Sequence, residues 1–134
     1  SPDPDRLIQL KEKLKKSKTE ESFLLYSGDD ISACNFLNGG GHGVISVTAN
    51  IVPKLIKQIC DHSLNGDFKQ SETIDSRLTD LHEALFLETS PIPVKWALNK
   101  VGRIPQGIRL PLTWLDNEYN SQMELILKKL GLIN

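Results

Sequence analysis

The sequence predicts an α/β fold in which part of a parallel sheet is followed by a helical domain. Two short runs, the apolar 23–26 and the mainly apolar 44–47, lack a regular alternation of polar and apolar residues, which is typical of strands buried on both faces of a parallel sheet. After residue 52, apolar residues recur at spacings of three and four, as on the buried face of a helix. We therefore assign the sheet-forming part to residues 1–66 and the helical domain to residues 67–134.

The first part alternates helices with strands. The opening SPDPD at 1–5 combines prolines with acidic residues, which favour the first turn of a helix. We expect a strand at 22–27, a helix at about 31–37, a strand at 43–47 and a helix that begins near Pro53. Two strands cannot complete a parallel sheet. The sequence therefore predicts a part of a larger α/β fold.

The helical part is predicted from four apolar stripes. The first continues from Val52 to Cys60, and the segment 64–67 (LNGD) separates it from the second. Ile74, Leu78, Leu81 and Leu85 form the second stripe, on one continuous helix. The third and fourth helices are predicted at 94–101 and 119–130.

Composition excludes several classes of partner. The 16 basic and 17 acidic side chains give a formal net charge of -1, which does not attract nucleic acid or an anionic membrane. There is no apolar run of membrane-spanning length and no secretory signal pattern, and the two cysteines lack C-x-x-C spacing. We expect a cytoplasmic protein with reduced thiols. Because the chain begins at Ser1 and its only methionine is Met123, we also expect a piece of a longer protein.

Three residue types that could indicate a ligand site have simpler interpretations. The glycine run 39–43 follows a helix and precedes a strand, which is the reverse of a phosphate-binding loop, so it predicts a helix C-terminal turn. The three histidines share no metal-ligand spacing. Cys34 and Cys60 fall on apolar helical positions and are expected in the core. No metal and no cofactor are predicted.

Polar residues follow both predicted strands, at 27–30 (SGDD) and 48–50 (TAN). In a (β/α) barrel, the carboxyl ends of the strands are the edge that carries the active site. The alternative is that Asp29, Asp30 and Asn50 are ordinary helix N-caps. The two roles are compatible, and both remain open at this point.

Four segments taken in order carry a resemblance to a known family: LYSGDD at 25–30, GGHGVISVTAN at 40–50, PIPVKWA at 91–97 and LPLT at 110–113. The chain resembles the C-terminal half of the dihydrodipicolinate synthase family of pyruvate-dependent class I aldolases. The resemblance implies the last two strands of a (β/α)8 TIM barrel with their flanking helices, followed by a C-terminal helical domain. N-acetylneuraminate lyases carry Ser-Thr-Tyr-Asn where this chain has SVTAN at 46–50, which favours the synthase family.

The resemblance implies a lyase of lysine (diaminopimelate) biosynthesis. Family members condense pyruvate with L-aspartate 4-semialdehyde through a lysine Schiff base, giving 4-hydroxy-tetrahydrodipicolinate. The lysine and the proton-relay residues, two tyrosines and a threonine, precede the position that matches Ser1. No catalytic residue is therefore expected in this chain, and Lys95, in the helical part, is not the Schiff-base lysine.

The same resemblance implies that this chain lines one side of the substrate site. Ile45 matches the position whose backbone carbonyl faces the bound keto acid, and Gly28 matches the position that lets the substrate approach closely. Asp29, Asp30 and Val47 match neighbouring positions of the same wall.

Further expectations follow for the protein as a whole. The chain alone should be inactive, and the complete enzyme should be a homotetramer whose barrel is closed by an N-terminal half. Two alternatives remain. The parent could be a sister enzyme, an N-acetylneuraminate lyase or keto-deoxy sugar acid aldolase. The chain could also be a non-catalytic interaction fragment, since Phe23, Leu25, Val44 and Val47 would expose apolar surface without their barrel neighbours.

Overall fold

The computed structural model describes residues 4–17 and 23–134. Within these ranges, seven α-helices and one pair of strands follow one another in the predicted order. The elements are α1 (Pro4–Lys16), β1 (Tyr26–Ser27), α2 (Asp30–Asn38), β2 (Gly43–Val44), α3 (Pro53–Leu64), α4 (Phe68–Asp75), α5 (Thr79–Ala84), α6 (Ile92–Lys100) and α7 (Asn120–Lys129). Short 3₁₀ turns lie at Thr48–Asn50 and Asn117–Tyr119. Residues 1–3 of the predicted first turn and residue 22 of the predicted strand lie outside the described residues.

The two strands pair in parallel, as the sequence predicts. Tyr26 lies opposite Gly43 and Ser27 opposite Val44. The contact extends beyond the assigned strands, because Ile45 N donates to Ser27 O at 2.7 Å. Both strands are shorter than the predicted 22–27 and 43–47. In the described part of the chain, each strand has only the other strand as a neighbour. Ladder hydrogen bonds therefore form along one edge of each strand, and only where the two strands lie opposite each other.

The strands are not buried on both faces, which corrects the prediction from their apolar runs. Phe23, Leu24, Tyr26 and Ile45 are 54%, 62%, 51% and 75% exposed. Leu25, Val44 and Val47 are half-buried. The apolar runs match a closed sheet, but the described residues provide no strand on the outer edge of either one.

Helix α2 ends in the glycine turn that the sequence predicts. Gly39 N donates to Asn35 O at 2.9 Å and Gly40 N donates to Leu37 O at 2.9 Å. Gly40 has φ +90°, a left-handed conformation that glycine adopts without steric cost. Lys11 of α1 donates from Nζ to Gly39 O at 3.2 Å. The run is therefore a helix C-terminal turn that α1 supports.

The predicted second helix of the tail is divided into α4 and α5. The break at 64–67 is confirmed, since α3 ends at Leu64 and α4 begins after Asp67, whose side chain accepts from Gln70 N. A further turn follows α4, in which Leu78 N donates to Asp75 O at 2.8 Å over only three residues. The apolar stripe survives this interruption, because Ile74, Leu78, Leu81 and Leu85 are all buried. The spacing thus identified the buried side chains but not the turn between them.

One apolar cluster forms the core of the molecule. It draws Cys34 and Leu37 from α2, and Trp96 is its largest side chain. Cys60 is only partly buried and packs against the cluster, so just one of the two cysteines lies inside the core as expected. The cluster includes residues from both sides of position 66, and the division into domains at that position stays a prediction. No helix within the described ranges is long and apolar enough to cross a membrane.

Candidate functional site

The parallel pairing brings the carboxyl ends of β1 and β2 side by side, and the segments that follow them form a common edge. Gly28 is exposed, and a Cβ added to it would meet no described atom within 4 Å. Ile45 follows β2 with an exposed side chain, and Val47 is half-buried. The edge therefore presents open backbone on one side and an apolar side chain on the other.

Asp29 is the N-cap of α2. Its Oδ2 accepts from Ser32 N at 3.0 Å, and its backbone is extended, as N-cap residues usually are. The hydroxyl of buried Ser27 accepts from Asp29 N at 3.2 Å and donates to Asp29 O at 3.1 Å. The end of β1 is thereby tied to the start of the helix, and the capping interpretation holds for Asp29.

Asp30 has a different role. Its carboxylate is buried, and Oδ2 accepts from Val47 N at 2.8 Å and from Thr48 N at 3.0 Å. Hydrogen bonds to an ionised acceptor are shorter and about twice as strong as those between neutral groups. Oδ1 is buried and has no hydrogen-bond partner among the residues described. Asp30 thus fastens the segment after β2 to the N-terminus of α2, and two of the predicted site residues, Asp30 and Val47, are in direct contact.

Asn50 does not cap α3, contrary to the N-cap alternative. Its Nδ2 donates to Val47 O at 2.9 Å, inside the segment that follows β2. The residue before α3 is Val52, whose side chain makes no capping hydrogen bond, and Pro53 occupies the first helical position. The 3₁₀ turn at Thr48–Asn50 separates the segment from α3, so Asn50 lies too early to reach the orphan N–H groups of that helix.

Thr48 extends the polar contacts inward. Its Oγ1 lies 2.8 Å from Nδ1 of His82 in α5, and both side chains are buried. On the other side of the ring, Nε2 lies 3.4 Å from Asp75 Oδ1. That separation brings the two groups into electrostatic contact but is too long for a well-formed hydrogen bond, and Nε2 has no other polar partner in the described residues. A buried polar chain therefore connects the edge after β2 to α4 and α5.

The sequence contained a signal for His82 that zinc spacing did not reveal. His82 lies four residues after Leu78 and three before Leu85, so it shares the buried face of the second stripe. A histidine at such a position must find a polar partner in the core. Thr48, directly after a strand, supplies it.

Arg103 is a second contact that the sequence did not suggest. From the turn after α6, its Nη1 donates to Asn50 O at 3.0 Å and to Ile51 O at 2.9 Å. These are the carbonyls at the end of the 3₁₀ turn, which α3 leaves unpaired. The helical part thus supports the segment after β2 from two directions. Among the described side chains, no three of the types His, Cys, Asp and Glu form a group that could hold a metal ion.

The family model of the dihydrodipicolinate synthetase family matches residues 6–130. The chain belongs to this family. Its strand edge corresponds to the carboxyl edge of a (β/α)8 barrel, and the resemblance carried by the four sequence segments is confirmed.

Two similar proteins are both named 4-hydroxy-tetrahydrodipicolinate synthase. The one from Saccharophagus degradans is 52% identical over 111 residues, which cover 83% of this chain and 38% of the relative. The one from Methylococcus capsulatus is 49% identical over 113 residues, covering 84% and 39%. The chain thus spans less than half the length of these relatives.

Solved structures of dihydrodipicolinate synthases superpose on nearly all of this chain. The enzyme from Acinetobacter baumannii, solved in complex with pyruvate, matches with a TM-score of 0.91 and 40% identity, over 99% of this chain and 44% of that one. The enzyme from Thermotoga maritima gives a TM-score of 0.91 and 35% identity, with the same coverage. The predicted fold class is confirmed: the last two strands of a TIM barrel with their helices, followed by helical structure. The two paired strands in the described part of this chain fit a partial barrel.

Proposed function

We propose that this chain forms one wall of the pyruvate site in a lyase that condenses pyruvate with L-aspartate 4-semialdehyde. The product would be 4-hydroxy-tetrahydrodipicolinate, in lysine (diaminopimelate) biosynthesis. The observation that carries the proposal is the match, at a TM-score of 0.91 and 40% identity, to a synthase solved with pyruvate. The reacting lysine would come from the remaining part of the barrel, so the chain is inactive by itself.

The chemistry divides between the two parts of the barrel. An unprotonated lysine amine attacks C2 of pyruvate, and the carbonyl oxygen leaves as water to give the Schiff base. Loss of a proton from C3 gives the enamine. C3 then attacks the aldehyde carbon of the second substrate, and the aldehyde oxygen takes up a proton. The amino group that came from aspartate semialdehyde next attacks C2 and displaces the lysine amine, which closes the ring of the product and frees the lysine. These steps need a keto acid held in one orientation relative to the lysine.

Five residues of this chain would provide that orientation. The carbonyl of Ile45 faces the keto acid, and the open space at Gly28 admits it to the end of β1. Asp29, Asp30 and Val47 hold the two segments in place through the bonds to Ser32 N and Val47 N described above. None of these side chains is assigned a bond-making step.

The proposal is tested by supplying the rest of the barrel. The chain is joined behind the remaining part of the Saccharophagus degradans relative and assayed with pyruvate and aspartate semialdehyde, and borohydride is used to trap the Schiff base. We expect condensation and a trapped pyruvyl adduct in the chimera, and neither in the 134-residue chain alone. A chimera whose Schiff-base lysine is replaced by alanine is the control.

Three outcomes contradict the proposal. Condensation by the isolated chain would place a nucleophile within it. A folded chimera that cleaves N-acetylneuraminate or a keto-deoxy sugar acid but leaves aspartate semialdehyde unchanged would assign the chain to a sister enzyme. A folded chimera that traps no keto acid would favour a non-catalytic fragment.

We further infer that the complete protein is cytoplasmic and assembles as a homotetramer. The two cysteines are free thiols, as is usual in a reducing compartment. The mass of the chimera in sedimentation velocity tests the assembly.

A further inference from the structure

We propose that Asp30, Thr48 and His82 are positioning residues that fix the wall segment, residues 45–48, against the helical part of the molecule. The inference rests on the proposed function, because it assigns a purpose to side chains that hold the keto-acid wall. It differs from that function in the residues concerned, since Thr48, at the end of the wall segment, and His82, behind that segment, are not among the five residues assigned to the substrate wall.

The wall segment is held at both ends and in its middle. Ile45 N donates to Ser27 O at one end, and Thr48 N donates to the Asp30 carboxylate at the other. Between them Val47 N donates to the same carboxylate oxygen. The hydroxyl of Ser46 accepts from Ala49 N at 2.8 Å and closes the turn. Few backbone rotations remain free in a segment restrained at so many points.

The contact between Thr48 and His82 determines where the far end of the wall segment lies. His82 belongs to α5, and neighbouring Leu81 and Leu85 are fully buried, so its ring has little room to move. When Nε2 carries the ring proton and faces Asp75, Nδ1 is free to accept the Thr48 hydroxyl hydrogen. The carboxylate of Asp75 thereby favours the tautomer that the contact with Thr48 requires.

Stability alone does not account for this arrangement. Burying a carboxylate, an imidazole and a hydroxyl carries a desolvation penalty, and well-packed apolar side chains of similar volume are often as stable or more so. Hydrogen bonds are directional, whereas apolar contacts are not. Two N–H groups and one hydroxyl of the wall segment have defined partners, which fixes the orientation of its backbone. A displacement of about 1 Å in a reacting geometry is enough to cost roughly 100-fold in rate.

The test uses the complete enzyme that carries this chain and measures the borohydride trapping rate and kcat/KM for pyruvate. Thr48→Val removes the hydroxyl and keeps the shape, and we expect both quantities to fall by about 10- to 100-fold. Thr48→Ser restores the hydroxyl and should recover activity to within about threefold of the parent. Asp30→Asn, which keeps an acceptor oxygen without its charge, provides a milder second variant with a loss of about 3- to 10-fold.

Ser71→Ala is the matched control. Ser71 is buried in the same molecule and bonds to Phe68 O at 2.8 Å and Asn38 Oδ1 at 3.2 Å, away from the wall segment. It should lower the midpoint of urea unfolding as Thr48→Val does, yet leave the trapping rate unchanged. This comparison separates positioning from a general loss of stability.

The results that overturn the inference are distinct from those that overturn the function. An active parent whose Thr48→Val variant traps pyruvate at the parental rate, or no more slowly than Ser71→Ala at equal stability, removes the positioning role only. A Thr48→Ser variant as slow as Thr48→Val also removes it. A folded parent that traps no keto acid contradicts the proposed function and the positioning role together.

Discussion

The exposed apolar side chains beside the strands should make the isolated 134-residue chain associate with itself. We call Phe23, Leu24, Tyr26 and Ile45 the strand patch; they are 54%, 62%, 51% and 75% exposed. Fully burying one large apolar side chain contributes about 1.5–3 kcal/mol. Covering the strand patch on both copies of a symmetric dimer is therefore worth about 7–14 kcal/mol. Association itself costs an estimated 4–15 kcal/mol.

These opposing terms predict a weak and reversible dimer. With the burial contribution at about 10 kcal/mol and the association cost at about 5 kcal/mol, near the lower end of its range, the net is about 5 kcal/mol, which corresponds to a Kd on the order of 0.1 mM. Ile45→Ser removes the most exposed member of the strand patch and forfeits roughly 2–4 kcal/mol per dimer. The Kd should therefore rise by at least about tenfold.

Sedimentation equilibrium across that concentration range measures the change. Leu110→Ser is the matched control, because Leu110 is 87% exposed but lies in the segment after α6. It should leave the Kd within about twofold of the parent chain. A parent chain that is still monomeric at a protein concentration of about 1 mM would contradict the estimated Kd. Equal effects of Ile45→Ser and Leu110→Ser would show that association does not use the strand patch.

Two further predictions concern stability of the chain in urea. Asp29→Ala should lower the free energy of unfolding by about 1 kcal/mol, and Asp29→Asn by only a few tenths (~0.3), because asparagine still caps α2. Burial raises the pKa of the Cys34 thiol above its ordinary value of 9.0, so the unfolded chain loses this proton first as the pH rises. The free energy of unfolding should therefore fall as the pH rises above 9.0. Cys34→Ala should make this decrease with pH less steep by up to about 1.4 kcal/mol per pH unit.

Each of these two stability predictions can be contradicted by one result. If Asp29→Asn is as costly as Asp29→Ala, the side chain does more than cap the helix. The free energy of unfolding is compared between about pH 8 and pH 10, roughly one unit on either side of the ordinary pKa of a thiol. If it changes equally with pH in Cys34→Ala and in the parent, burial does not shift the pKa of Cys34. Cys60→Ala serves as the reference for a second, partly buried thiol, whose pKa burial also raises.

Local signals in the sequence predicted the elements well. The glycines after α2, the break before Asp67 and the N-cap at Asp29 all act within a few residues, so their effect can be read without knowing the fold. The apolar stripes predicted which side chains are buried, because helical spacing fixes a common face. Parallel pairing of the strands was predicted from their apolar runs and is confirmed, although the strands are not buried on both faces.

Tertiary contacts set the limits of prediction. The turn between α4 and α5 leaves the apolar stripe intact, so the spacing carried no sign of it. Asp30 looked like an N-cap, but its carboxylate binds a segment 17 and 18 residues later. His82 and Thr48 are 34 residues apart, and their contact depends on how α5 packs. The family resemblance predicted wall residues but gave no sign of the side chains behind them.

The single apolar cluster links the strand edge to the far end of the chain. Leu37 of α2 and Leu127 of α7 both belong to it. Elements that share a core tend to open together rather than one at a time. Because Val47 of the wall segment packs against this cluster, we expect thermal unfolding that begins at α7 to loosen the wall segment as well.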